Sequence, residues 1–162
     1  FMFVDRITKI EGEYGKLEPC SIEIEYDITE DCLFTMGDHV SHIVLTESAQ
    51  ICIFLVAYIG IDEISDGKLR FRIADSNATL HSDLPKVGET FRGVYKINSF
   101  LKNGDTTLVT STYNCYVGDR LVVTLSSIGG FFTEQDLENS KGVVAPPSSD
   151  MKPKWAKGGK PT

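Results

Sequence analysis

The sequence predicts an α+β domain: an antiparallel sheet curled round one long buried helix. Two observations predict it. Residues 43–59 are apolar on every side of a helical projection, and from residue 91 onward alternating segments are joined by two-residue turns. A helix apolar all round is a buried helix. A meander that must cover such a helix does so most economically by wrapping it.

The elements follow in order. Residues 3–10 form a candidate strand, joined through the glycine-containing turn 11–15 to residues 21–26. That second segment, Ser-Ile-Glu-Ile-Glu-Tyr, alternates strictly and so has one wet and one buried face. In the helical stretch only Thr46, Glu47, Ser48 and Gln50 interrupt the apolar pattern, all near its start. Ser41 suits the N-cap and Gly60 the stop. Residues 68–80 read as one long strand kinked near Asp75-Ser76-Asn77. Residues 91–101 alternate and turn at Asn103-Gly104, where positive φ is tolerated. The return strand covers 106–117, with Val109, Tyr113, Cys115 and Val117 on one face. Gly118-Asp119 then turns into residues 120–128, and 133–140 suit a short capped helix. Such an open sheet leaves an edge strand exposed, so it should pair edge to edge with a second copy or a sister domain.

The chain of 162 residues suits one domain. We place that domain at residues 1–144 and a linker or tail at 145–162, where Pro, Gly, Ser and Lys dominate and Trp155 could anchor to a neighbour. A net charge of −7 argues against nucleic acid as a partner. The unbroken apolar run 51–59 is far short of the roughly 20 residues that span a bilayer, which argues against the membrane. No basic, cleavable leader precedes Asp5, and a chain opening on Phe1 is expected to be a piece of a longer polypeptide. Cys20, Cys32, Cys52 and Cys115 lack metal-ligand spacing, so no metal is expected; they read as structural thiols in a reducing cytoplasm.

Specific residues add a resemblance. Met2-Phe3-Val4-Asp5-Arg6-Ile7, Glu25-Tyr26-Asp27-Ile28, Val44-Leu45-Thr46-Glu47-Ser48-Ala49-Gln50 and Gly129-Gly130-Phe131-Phe132-Thr133 together resemble the β-hydroxyacyl-acyl-carrier-protein dehydratase family. Tyr58-Ile59-Gly60-Ile61-Asp62, Asn114-Cys115-Tyr116-Val117 with Arg120-Leu121, and Lys141-Gly142-Val143-Val144 are similar to the dehydratase-like region of polyunsaturated fatty acid synthases. The resemblance covers residues 1–144 and implies the hot-dog fold. It also implies a lyase reaction, in which water leaves a 3-hydroxyacyl thioester carried on the phosphopantetheine of an acyl carrier protein. No other cofactor is implied. A neutral His takes the α-proton, an Asp or Glu on the central helix protonates the leaving hydroxyl, and backbone N–H groups at the helix start hold the thioester oxygen. Two hot-dog units share each site, one giving the base and the other the acid.

On that pattern Glu47 takes the acid position, but Leu33 stands where the base belongs, and leucine cannot accept a proton. The Pro-Val-Met-Pro-Gly stretch of the family becomes Asp38-His39-Val40-Ser41-His42. His39 or His42 replaces the base only if this loop folds differently; otherwise both are loop or cap residues, as His81 is a surface residue. Ser41, His42 and Gln50 are the expected substrate-binding neighbours of Glu47. Burial of that carboxylate is costly unless it lines a cavity. Lys68, Arg70 and Arg72 alternate and could meet the pantetheine phosphate, or they form a solvated face. Carrier proteins are usually acidic, so tethering in the same synthase must replace attraction.

Three functions stay open. The first is a dehydratase half-site that lends Glu47 to a base-bearing partner hot dog, adjacent or a second copy, and is inactive alone. The second is a structural or acyl-binding pseudo-dehydratase, and the third a hot-dog thioesterase.

Overall fold

A computed structural model describes residues 3–140. The proposed tail 145–162, Trp155 and the Lys141–Val144 motif lie outside the described residues. Eight strands and four short helices follow one another: β1 Arg6–Glu11, β2 Cys20–Asp27, β3 Thr35–Met36, β4 His39–Val40, α1 His42–Glu47, α2 Cys52–Tyr58, α3 Ile61–Ile64, β5 Arg70–Leu80, β6 Thr90–Asn103, β7 Thr106–Val117, β8 Arg120–Phe132 and α4 Glu134–Asn139. Six of the strands form one antiparallel sheet in the order β1-β2-β6-β7-β8-β5, while β3 and β4 pair as a small ribbon before α1.

The alternation read in the sequence sets the faces. Ile22 and Ile24 of β2, Phe91, Tyr95 and Ile97 of β6, and Val109, Tyr113 and Cys115 of β7 all point inward. Against them pack Val44, Leu45, Ile51, Leu55 and Ile59 from the helical segment. Ser41 caps α1, its hydroxyl accepting from the Ile43 N–H at 3.3 Å. Gly60, at φ +75°, turns the chain out of the helix into a conformation that L side chains resist. Thr133 caps α4 with a full capping box to Asp136.

Three readings are refined. The long helix is not continuous: a 3₁₀ turn at Ser48–Ile51 separates α1 from α2. Its burial is also one-sided, since Ile43, Ile53 and Tyr58 are 57%, 58% and 48% exposed. The sheet of one chain wraps a single side of this helix, and the outer stripe is left bare. The β6–β7 turn is Gly104-Asp105, one residue later than expected, with Asn103 paired to Thr106 across it. The expected kink in β5 is present as a register shift between Ile73 and Asp75.

The opening motif has a structural task. Arg6 grips Asp27 through two bonds of 2.6 and 2.7 Å and reaches Glu25 at 3.1 Å. Thr90 donates to the same Asp27 carboxylate at 2.7 Å, so β1, β2 and β6 are tied at one point. The Arg6 bond, with help from Thr90, holds the Asp27 carboxyl well below the ordinary carboxylate range. A depressed carboxyl stabilises the fold above its unfolded value of about 3.9 and loses that contribution as pH falls. Replacing Arg6 with Met should therefore lower the urea midpoint at pH 7 and lower it by less near pH 2. An equal loss at both pH values would mean that Arg6 acts through its stem rather than its charge.

Candidate functional site

The helix phase aims Glu47 outward. Val44, Leu45 and Ser48 take the buried side of α1, which leaves Ile43, Glu47 and Gln50 on the opposite side. Gln50 donates its side-chain N–H to Glu47 at 3.1 Å, so the structure brings these two expected site residues together.

The pair stands on a ridge between two hollows. One, of about 480 Å³, lies between the helix and the sheet; its outer rim is Gln50, Ile53, Arg72, Ile73 and Ser76, on the helix and β5. Its inner lining is Ala49, Cys52, Tyr95, Val109, Ser111 and Gly129. The other, of about 240 Å³, is formed by Phe3, Val4, Ser48, Ile51, Ile53 and Phe54 together with Glu47 and Gln50. Pockets of a few hundred Å³ with apolar walls and a few polar groups are the usual form of a small-molecule site. The carboxylate thus borders an apolar space without being buried in it, which answers the cost anticipated for it.

The inner wall has its own chemistry. Tyr95 and Ser111 are buried and Cys52 is half-buried, and both neighbours act on the Tyr95 phenol. Burial pushes the Tyr95 phenol up to about 12 and the Cys52 thiol up to about 11, so both stay protonated at neutral pH. Cys52, expected to be a core residue, in fact lines the cavity. The sheet residues of this wall were missed in the sequence. Alternation marks Tyr95 and Ser111 as inward, but nothing local says which strands lie side by side beneath Glu47.

The other expected residues lie elsewhere. Ser41 serves the helix cap, His42 is exposed at the first turn, and neither lines the Glu47 cavity. Leu33, at the base position, is 89% exposed. His39 meets Asp38 through Nδ1 at 2.5 Å and, with His81, lines a separate hollow of about 610 Å³ at the far end of β5. Within one chain, therefore, neither His39 nor His42 shares a cavity with Glu47. Lys68, Arg70 and Arg72 are also dispersed. Lys68 pairs with Asp66 at 2.9 Å, Arg70 bonds the Gly67 carbonyl at 2.7 Å, and only Arg72 reaches the rim of the cavity. Among the described residues no cluster of His, Cys, Asp and Glu is placed to hold a metal ion, and no helix is long and apolar enough to cross a membrane.

No protein-family model matches the chain. Over 148 residues, 89% of its length, it is 28% identical to a subunit of the polyunsaturated fatty acid synthase of Thraustochytrium sp., and it spans 10% of that protein. Solved structures of the same shape include an uncharacterised protein of Pyrococcus horikoshii, at TM-score 0.55 and 12% identity over 81% of this chain and 85% of that one. Zebrafish thioesterase superfamily member 2 aligns at TM-score 0.55 and 15% identity, over 78% and 80% of the two chains. A hypothetical thioesterase of Streptococcus pneumoniae, solved with coenzyme A, aligns at TM-score 0.53 and 10% identity, over 81% and 89%. At such identities the structures speak for the fold alone. The chain is a hot-dog-fold domain, similar in sequence to one stretch of a polyunsaturated fatty acid synthase.

Proposed function

We propose that the chain is a dehydratase-like unit of a fatty acid or polyketide synthase, acting on 3-hydroxyacyl thioesters of an acyl carrier protein as the half that gives the acid. One observation carries this reading: Glu47, held by Gln50, stands at the mouth of an apolar cavity beside β5, an edge strand among the described residues. The likeness to part of a synthase supports the setting. Four free thiols suit a reducing cytoplasm.

The base comes from elsewhere. Among the described residues β5 is an open edge, and the bare helix stripe of Ile43, Ile53 and Tyr58 meets it at Ile53, which shares a hollow with Arg72 and Ile73. Pairing β5 with the edge of a sister hot dog or a second copy would extend the sheet and cover that stripe. Antiparallel pairing sets the start of one β5 against the end of the other, so loops of the second unit approach the Arg72–Ile73 rim of this cavity. A histidine there would complete the acid–base pair.

Incubation of this chain alone with 3-hydroxyacyl pantetheine thioesters is the test. Binding without enoyl product is the expected result, because Leu33 supplies none of the base's share, worth about 10²–10⁴-fold in typical general acid–base catalysis. Robust turnover that survives Leu33→Ala but collapses on His39→Ala or His42→Ala would overturn the assignment and make a relocated histidine the base. Release of free thiol would favour a thioesterase.

A further inference from the structure

We propose that Tyr95 is the end wall of the Glu47 cavity and sets how long an acyl chain the cavity accepts. The inference rests on the thioester-binding reading above and adds to it a specificity-determining residue. The cavity has an open and a closed side: Arg72, Ile73 and Ser76 of the free edge strand are exposed, whereas Tyr95, Val109 and Ser111 are buried. A chain entering past Glu47 and the edge strand therefore advances toward β6 and β7, where it meets the phenol.

That phenol is well packed. Tyr95 is buried, and it lines the inner end together with Ser111 on the neighbouring strand and Cys52 on the helix roof. Side chains locked by packing make rigid walls, and a rigid wall discriminates by length because protein interiors yield little to extra methylenes. The volume is consistent with a short site. At the ~30 Å³ that a water occupies in the liquid, about 480 Å³ holds roughly sixteen water-sized groups. A thioester with a medium chain fits such a space.

Bulk and hydroxyl are separable. Tyr95→Phe removes only the hydroxyl, while Tyr95→Ala removes the ring and opens the space behind it.

The experiment measures binding of acyl-pantetheine thioesters of increasing chain length to this chain and to Tyr95→Phe and Tyr95→Ala, by calorimetry. The expected wild-type profile rises with length and then falls sharply. Tyr95→Ala should move the fall to longer chains, with at least a tenfold gain for the first length that the wild type rejects. Tyr95→Phe should keep the wild-type optimum. If Tyr95→Ala does not fold, Tyr95→Leu carries the same test with a smaller gap. Binding with an unchanged optimum in the Ala or Leu variant would overturn the gauge while leaving the thioester reading intact. No binding of any chain length by wild type would overturn both.

Discussion

Gly93→Ala should destabilise the domain by about 3 kcal/mol or more, a large effect for one methyl group. Gly93 lies on β6 directly beneath the Tyr113 ring, and a Cβ there would fall 2.9 Å from Cζ of Tyr113 and closer still to its hydroxyl. The ring cannot withdraw easily. It is fully buried, and its hydroxyl shares a 2.5 Å hydrogen bond with Ser48, which itself bonds the Leu45 carbonyl at 2.7 Å. This pair fastens the 3₁₀ turn of the helix to the centre of the sheet. Overpacking costs about 1–3 kcal/mol, and a buried hydroxyl torn from its partner costs about 1–3 more. Urea unfolding is the measurement. Combining Gly93→Ala with Tyr113→Val should cost less than the sum of the two single losses, a non-additivity expected of touching residues. An unchanged midpoint in Gly93→Ala alone would mean that the packing under the helix is loose.

Glu47→Gln should cut dehydration by about 10²–10⁴-fold in a protein that joins this unit to a base-bearing hot dog, with the melting temperature nearly unmoved. The substitution keeps the shape and removes the ionisable proton. Stability is insensitive because Glu47 is exposed in this chain and its side-chain bond is to Gln50, a partner that an amide can also engage. Unchanged turnover would favour the structural or acyl-binding pseudo-domain, and loss of folding would mean that Glu47 serves the scaffold.

Much of the architecture was legible because its signals are local. Strict alternation in Ser-Ile-Glu-Ile-Glu-Tyr fixes which face of β2 is buried, and the expected strand 106–117 coincides with β7 because a glycine turn bounds it at each end. Ser41, Gly60 and Thr133 declared helix ends through their own backbone chemistry. The errors have physical causes too. Gly104 placed the β6–β7 turn one residue beyond Asn103, since the two-residue loop takes the glycine at its first position. The helix read as buried all round because its sequence records every surface that it covers, including a stripe that the sheet of this one chain does not reach.

The sequence by itself determined the strand faces and the helix ends, because each depends on a residue's type and its near neighbours. Only the tertiary structure decided what surrounds Glu47. Tyr95 and Ser111 come from β6 and β7, Arg72 from β5, and their convergence depends on strand order and register across the sheet. The same register separates His39 and His81 into another hollow, although His39 lies only eight residues before Glu47. Contacts between distant strands are set by which pairings bury the most apolar surface together, a property of the whole chain that no local pattern encodes.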